Sequence, residues 1–270
     1  MILVLGVTSL YPLIYALIIS LFDWDWGQTM TFVGLQNYGR LLADPEFWIV
    51  IRNTIVFAFF AVVIEMSLGL GLAVAVDKLG FGATIIRTLL LTPLMVSGII
   101  VALMSKVLLD SFLGIVNYLF GLVGLGPFLF YGGEHTAMAT IILVDTWWQT
   151  AFVFIILLAG LQSLPKEPIE AAKLDGATGW QIFRHVILPM LRPLLFTVLI
   201  IRSIDTLKVF DIVFGTTGGG PGLATEVVQT FAYRTAYSFL QISRAMTVMV
   251  IFSALVTLLC FIYMRAEKLK

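Results

Sequence analysis

The sequence predicts an all-α membrane protein with six transmembrane helices, and two observations support this fold class. Hydrophobic residues occupy 60% of the 270 positions and charged residues only 12%, whereas soluble domains contain roughly 45–50% and about 25%. Six segments are also predominantly apolar over the ~20 residues that a helix needs to cross the hydrocarbon core. They are residues 1–22, 53–76, 87–109, 138–160, 191–213 and 245–264. We therefore expect residues 1–270 to form one transmembrane domain.

The first segment is predicted to be a retained helix. It lacks the basic N-terminal stretch and the small-residue cleavage site of a signal peptide. Because the chain begins inside this segment, we expect a cytoplasmic stretch to precede residue 1 in the full protein.

Residues 111–133 form a further apolar stretch that carries no charge. Its glycines and proline limit any continuous helix to one or two turns, because both residue types disfavour helix interiors. We interpret the stretch as short interfacial or re-entrant helices within an outer loop of about 110–137. The interrupting residues are Gly114, Gly121, Gly124, Gly126 and Pro127.

The basic residues in the loops and at the ends of the segments predict which side faces the cytoplasm. Nine lie on one side and four on the other, and cytoplasmic loops are the ones enriched in Lys and Arg. The C-terminus is then cytoplasmic, and the loops of about 23–50, 110–137 and 214–243 are outer. The cytoplasmic set is Lys78, Arg87, Lys166, Lys173, Arg184, Arg192, Arg265, Lys268 and Lys270, and the outer set is Arg40, Arg52, Arg234 and Arg244.

A polar loop of about 165–190 separates the fourth and fifth segments. Pro165 and Pro168 end one helix and start another, because proline is tolerated in the first turn but not in the interior. Gly176 ends this short helix, since glycine readily takes the positive φ of a helix stop, and Thr178 is expected to cap a second one. That second helix carries an apolar stripe formed by Trp180, Phe183, Val186 and Ile187. Such a pair of helices suits insertion into a groove on a soluble partner; the alternative is an ordinary interfacial loop.

The sequence of this loop, EAAKLDGATGWQIFRHVILP over residues 170–189, resembles the cytoplasmic EAA loop of ABC-importer permeases. Its one departure is Val186, where the motif usually has isoleucine. Other stretches similar to the carbohydrate-type permeases are Tyr11-Pro12, FVGLQNY at 32–38, Arg52-Asn53-Thr54, LAGLQS at 158–163 and TGGGPG at 217–222. The chain thus resembles the maltose, glycerol-phosphate and polyol permeases, which have the type I importer fold with six transmembrane helices and a short cytoplasmic coupling helix.

This resemblance implies the import of a sugar, polyol or related small carbohydrate across a bacterial or archaeal cytoplasmic membrane, in a multi-pass protein. In that family the permease pairs with a second homologous permease as a heterodimer. Two ATPase subunits dock on the cytoplasmic loops, and an extracytoplasmic binding protein delivers the substrate. The residues that match the family's ATPase-coupling motif are Glu170, Ala171, Ala172, Asp175 and Gly176.

The resemblance also implies that ATP and Mg are bound by the ATPase subunits. We therefore expect no cofactor, metal or catalytic residue in this chain, and its sequence contains no GxxxxGK[ST] phosphate-binding motif. The formal net charge of zero gives no sign of a nucleic-acid partner, so membrane lipid is the expected surrounding. The single cysteine, Cys260, excludes an internal disulfide.

Ionisable residues inside the predicted segments are candidates for the substrate path, because each is costly in the membrane. The fifth segment contains Arg202, Asp205, Lys208 and Asp211. Residues three apart on a helix can pair, which would join Arg202 to Asp205 and Lys208 to Asp211. Two interpretations stay open: a neutralised network that holds helices together, or a cavity lined by Arg202, Asp205 and Thr206.

The fourth segment offers a second candidate face, with Asp145, Trp148 and Gln149 followed by Phe152. A carboxylate and an amide beside an aromatic ring suit a sugar, whose hydroxyls need directional partners and whose C–H faces stack on rings. Core packing or an interfacial tryptophan belt would explain Trp148 equally well. Glu65 in the second segment either faces the same cavity or contacts a neighbouring helix.

Ser67 and Gly71 in the second segment, with Gly69 nearby, form a small-residue face that is expected to serve close helix packing. The outer TGGGPG stretch is expected to be a flexible loop, because no lysine follows it to bind phosphate.

Two other classes of protein are weighed against the importer. An ion-coupled secondary transporter could use the same intramembrane charges, but it leaves the 165–190 loop unexplained and predicts an inverted repeat of hydropathy that the chain does not show. A membrane enzyme is disfavoured because the two histidines, His135 and His185, are predicted on opposite sides of the membrane.

Overall fold

The computed structural model describes residues 6–79 and 82–268, and these are predominantly helical. The first five residues of the predicted first segment and the end of the C-terminal tail lie outside the described residues. The chain divides into two compact units. One, here called the coupling unit, comprises Ala58–Val101 and Ile142–Thr206; the other, the outer-loop unit, comprises Met1–Phe57, Ala102–Ile141 and Leu207–Lys270.

The chain starts with short elements. A π-helical turn, Gly6–Leu10, leads into α1, Tyr11–Ser20. Two short strands, β1 at Phe22–Asp23 and β2 at Thr31–Phe32, then pair antiparallel, and α2 covers Gln36–Leu42. The Asn37 amide ties α2 to the strand by donating to the backbone oxygens of Ser20 at 2.9 Å and Phe22 at 2.6 Å.

Three long helices match the second, fourth and sixth predicted segments. They are α3 at Pro45–Asp77, α7 at Ala137–Ser163 and α13 at Ile242–Lys268. The first is longer than predicted: its 33 residues extend about 50 Å, whereas the hydrocarbon core is about 30 Å thick. It starts at Pro45 because proline is tolerated in a first turn and because an Asp44 side-chain oxygen accepts the backbone N–H of Glu46 at 2.9 Å.

The third segment is broken, and the prediction of one continuous helix over 87–109 is wrong. Helix α4, Ala83–Leu91, continues into a 3₁₀ turn at Thr92–Met95, and α5, Gly98–Leu108, leaves at an angle of 97°. Pro93 lies in the 3₁₀ turn, where its missing N–H and fixed φ end the regular α-helix. The pair is apolar enough to count together as one bent span.

Residues 111–133 contain one short helix, α6, at Ile115–Leu122. Its 8 residues extend only about 12 Å, which is too short to cross a bilayer. The Asn117 side chain folds the following residues back, since it donates to the Phe128 oxygen at 3.0 Å and accepts the Phe128 N–H at 2.8 Å.

The fifth predicted segment begins earlier and ends earlier than expected. After α8, Glu167–Leu174, the chain is helical from Gly179 to Leu207 through α9 at Gly179–Ile182, a π-helical turn at Phe183–Ile187 and α10 at Leu188–Leu207. The predicted second short helix is therefore the start of the span itself. Pro189 does not interrupt it, because the π-turn changes the hydrogen-bond register just before the residue that lacks an N–H.

The predicted loop at 217–222 is a series of turns that leads through residues 223–227 into the next helix. The Thr225 hydroxyl donates to the Gly220 oxygen at 2.7 Å, and the Glu226 side chain is fully buried and pairs with Arg234 at 3.2 Å. Burial raises the pKa of the Glu226 carboxyl. A methyl group at Gly219 would lie 2.2 Å from the Glu226 carboxylate, so this glycine makes room for the buried acid.

The outer-loop unit is completed by two further short helices and a hydrophobic core. Helix α11 covers Asp211–Thr216 and α12 covers Val228–Tyr237. Val228 and Phe231 of α12 pack into a buried cluster, and part of the outer loop predicted over 214–243 is thus helical. The other members of that cluster are Leu41, Phe47, Val50, Ala232, Val248 and Phe252.

Of the described residues, four helical stretches are long and apolar enough to cross a membrane, or five when the bent pair counts as one span. The stretch Gly6–Ser20 is apolar but shorter. All six predicted segments therefore coincide with helical structure, but only three of them are single helices close to their predicted extent.

The packing of α3 against α7 in the coupling unit depends on Gly69. A methyl group there would lie 2.5 Å from Cγ1 of Val153 and 3.1 Å from the backbone nitrogen of Phe154. Gly71 has nothing within 4 Å of the same position, and both Gly71 and Ser67 are exposed. The predicted face of Ser67 and Gly71 therefore makes no close helix contact in this chain, and the close approach occurs at Gly69.

We expect Gly69→Ala to lower the free energy of unfolding by about 1–3 kcal/mol, the usual cost of overpacking a core. Gly71→Ala is the matched control, because it makes the same chemical change on the same helix in open space. Thermal unfolding of the two purified variants measures the difference. Equal melting temperatures would show that α3 and α7 do not approach as closely as the structure indicates.

Candidate functional site

The centre of the coupling unit is an ion cluster around Arg202 of α10. Its Nε donates to Oε2 of Glu65 at 2.8 Å and its Nη2 donates to Oε1 of the same residue at 3.0 Å. Nη2 also lies 3.5 Å from Oδ2 of Asp145 on α7. The side chains of Arg202 and Glu65 are 3% and 0% exposed, so this bidentate pair is fully enclosed by protein.

The ion cluster joins three helices that are distant in sequence, α3, α7 and α10. A guanidinium presents its donors as a planar fork that matches the two oxygens of a carboxylate. The Glu65 contact uses that fork, and Asp145 takes a further donor. For Arg202 this buried cluster is the arrangement that the network interpretation describes, and Asp145 belongs to the same cluster.

Asp205 differs from the two buried acids. Its Oδ2 lies 3.8 Å from Nη1 of Arg202, and 52% of its side chain is exposed. The predicted pairing of Arg202 with Asp205 is therefore present. Asp205 is the member of the cluster that a solute is able to reach in this chain.

The pairing predicted between Lys208 and Asp211 is absent, because α10 ends at Leu207. Lys208 and Val209 are not helical and Asp211 starts α11. The two side chains therefore lack the common helix turn that the pairing requires.

The remaining candidates are fixed by local hydrogen bonds to different degrees. The Thr206 hydroxyl donates to the Arg202 backbone oxygen at 2.8 Å and the residue is buried. The Trp148 indole donates to the Val96 oxygen at 3.1 Å, directly at the break between α4 and α5. Gln149 is partly exposed. Within the set of Asp145, Trp148, Gln149, Arg202, Asp205 and Thr206, the residues that are at least partly exposed are thus Trp148, Gln149 and Asp205.

The 165–190 loop has the predicted form from its first short helix to the cap at Thr178. Helix α8 contains no buried residue, and Leu174 at its end is 89% exposed. Gly176 follows with φ +79, which is the left-handed conformation predicted for the helix stop. Thr178 caps α9 through a capping box, in which the Gln181 side-chain oxygen accepts the Thr178 backbone N–H at 2.7 Å.

The apolar stripe of the second helix is only partly covered. Trp180 is 66% exposed and stacks near Phe183, with ring centroids 5.6 Å apart. Ile182, which the predicted stripe did not include, is the buried residue of α9. An exposed leucine and tryptophan on a polar loop are what a docking surface for another protein would present.

Comparison with known proteins decides the family. Residues 94–268 match the family described as the inner membrane component of binding-protein-dependent transport systems. The chain is a permease of this family. The match covers the ion cluster's α7 and α10 and the whole 165–190 loop, and it favours the importer over the ion-coupled alternative.

Individual relatives agree with this assignment. The permease is 38% identical over 247 residues to a probable ABC transporter permease of Sinorhizobium fredii, covering 90% of this chain and 78% of the relative. It is 38% identical over 202 residues to the trehalose/maltose transport permease MalF of Thermococcus litoralis, covering 75% and 68%.

The fold is that of ABC-importer permeases. A solved bacterial ABC transporter that imports the acidic polysaccharide alginate superposes with a TM-score of 0.87 at 20% identity, covering 98% of this chain and 92% of that one. The MetNI methionine transporter superposes with a TM-score of 0.59 at 21% identity, covering 84% and 98%.

Sequence reasoning left the role of Glu65 undecided and did not anticipate the bond from Trp148 to Val96. Glu65 is a lone acid in an apolar helix, and such a residue almost always pairs with another group, so a partner was foreseeable although its identity was not. The Trp148 contact has no signal in the sequence, because it depends on where the bend exposes a carbonyl.

We expect Arg202→Met to destabilise the permease by about 3–5 kcal/mol, because it leaves two buried carboxylates without their cation. Asp205→Asn is the matched control, since it changes an exposed partner of the same guanidinium and should alter stability far less. Chemical or thermal unfolding in lipid nanodiscs measures both. If the two variants unfolded alike, the buried cluster would not be a main source of stability.

Proposed function

We propose that this permease moves a sugar, polyol or related small carbohydrate into the cell as one half of a heterodimer, driven by two ATPase subunits. Three relatives carry names that support this substrate class: the trehalose/maltose permease, a probable permease for starch degradation products in Thermoanaerobacterium thermosulfurigenes, and a permease for sulfoquinovosyl glycerol in Agrobacterium fabrum. An extracytoplasmic binding protein delivers the substrate, and the membrane is the cytoplasmic membrane of a bacterium or archaeon.

The observation that carries the proposal is the exposed helix α8 with its left-handed stop. Glu170, Ala171 and Ala172 lie on this helix and Asp175 and Gly176 end it. The small alanine side chains allow a partner's backbone to approach closely, and Glu170 offers charge-assisted hydrogen bonds. We assign ATPase docking to these five residues, and ATP and Mg to the docked subunits.

The proposed mechanism is alternating access. A nucleotide shifts the permease between two states only if the ATPase contacts differ between them. Closure of the ATPase pair would displace α8 and, through the helical stretch from Gly179 to Leu207, the end of α10. Asp205, Trp148 and Gln149 would then form the substrate-contacting part of the path, with Asp145, Arg202 and Thr206 holding it in place.

We expect Gly176→Val to abolish substrate-stimulated ATP hydrolysis in the assembled transporter, because a β-branched residue resists φ +79. Gly179→Val is the matched control: it introduces the same side chain three residues later, where the backbone is helical and the space is open. Leu174→Asp should weaken ATPase association without changing stability, since the residue is 89% exposed. Wild-type stimulation in Gly176→Val would show that this loop does not couple ATP hydrolysis to transport.

We expect the 165–190 loop and the C-terminus to face the cytoplasm. A cysteine at Glu134, which is exposed, should react with a membrane-impermeant thiol reagent added outside intact cells, and a cysteine at Lys173 should react only after lysis. Cys260→Ser removes the native thiol first. Glu226 is unsuitable as an outer marker because its side chain is buried. Outside labelling of Lys173→Cys would reverse the proposed topology.

A further inference from the structure

Four aromatic rings form a continuous group in the outer-loop unit, here called the aromatic ladder. Phe210 and Phe214 are stacked, with ring centroids 5.0 Å apart and an interplanar angle of 14°. Tyr233 and Tyr237 are stacked at 4.8 Å and 30°. Tyr233 joins the two pairs edge-on, at 5.4 Å from Phe210 and 5.0 Å from Phe214.

The aromatic ladder is exposed, although the unit that contains it has a well-packed core. Phe214 is 42% exposed, Tyr233 38% and Tyr237 71%. Phe231, on the same helix as the two tyrosines, is 1% exposed and packs into the buried cluster of this unit. Helix α12 thus buries one aromatic residue and leaves two others on its accessible side. Packing of the core does not require those two rings.

Two exposed charged residues lie close to the aromatic ladder in the sequence. Asp211 and Lys208 are both exposed. Asp211 and Phe214 lie three apart on α11, and residues at this spacing share a face of the helix. A charged side chain is costly in hydrocarbon, so a lipid-facing position for this surface is disfavoured. The tyrosine hydroxyls add polar groups at the same surface.

We propose that the aromatic ladder is a binding surface for the pyranose rings of the transported carbohydrate, on the outer side of the permease. The C–H face of a pyranose is flat and apolar and stacks on an aromatic ring. Its hydroxyls project around the edge, where the Asp211 carboxylate accepts and the Lys208 ammonium donates hydrogen bonds. The proposal rests on the carbohydrate function proposed above and narrows its substrate class.

The shape of the carbohydrate decides which members of the substrate class the aromatic ladder would bind. An acyclic polyol is flexible and has no rigid apolar face, so stacking would order it at an entropic cost that a ring does not incur. The aromatic ladder therefore favours sugars built from pyranose rings over open-chain polyols of similar polarity.

Saturation-transfer-difference NMR on the assembled transporter in lipid nanodiscs tests this proposal, with trehalose and sorbitol as probes. Irradiation of the aromatic protons should transfer saturation to the ring C–H protons of trehalose and much less to sorbitol. Phe214→Leu and Tyr237→Leu should each weaken trehalose binding about three- to tenfold, in line with the energy of one aromatic contact. Phe214→Tyr and Tyr237→Phe keep the ring and should bind trehalose like the wild type.

Three results would overturn the proposal: equal transfer to both probes, no transfer to trehalose, or wild-type binding in both leucine variants. Loss of subunit assembly in Tyr237→Leu would also overturn it, because the aromatic ladder would then be a protein contact. Substrate-stimulated ATP hydrolysis of the wild-type complex separates this outcome from the proposed function. If that stimulation is present while the aromatic ladder fails its test, the importer function is retained and only the proposed sugar-stacking surface is rejected.

Discussion

The coupling unit depends on the enclosed pair between Arg202 and Glu65. Burying either charge alone would be prohibitive, and the pair is tolerated because the bidentate geometry compensates both groups. With Asp145 as a further partner at 3.5 Å, one guanidinium ties α3, α7 and α10 together. Removing the cation is therefore worse than removing any one apolar contact, because two acids would remain without water or partner.

The helical stretch that carries Arg202 begins in the 165–190 loop. The chain is helical from Gly179 through the π-turn to Leu207, so Arg202 and the capped start at Thr178 belong to one helical stretch. In the proposed mechanism, movement of the loop would reach the ion cluster through this stretch. Asp205 is the exposed end of the cluster, which places a carboxylate where such movement would alter contact with a solute.

Much of the fold and of the 165–190 loop was predictable from local signals. Hydropathy located six helical regions, Gly176 indicated a left-handed stop that the structure has at φ +79, and Thr178 indicated a helix start that its capping box confirms. Local rules were less informative at the breaks between helices. The bend near Pro93 and the hydrogen-bonded turns after Thr216 were not foreseen, because a proline or a glycine permits a break but does not determine its geometry.

The sequence by itself determined the class of protein, the apolar regions, and the first short helix and helix stop of the 165–190 loop. These features depend on composition and on residues within one or two turns of each other. Only the tertiary structure decided which intramembrane acids are enclosed and which is reachable. Glu65, Asp145 and Asp205 carry the same functional group and each lies in an apolar helix, so nothing local distinguishes them. Their roles differ because three helices converge on one guanidinium, which buries two of the acids and leaves the third at the surface.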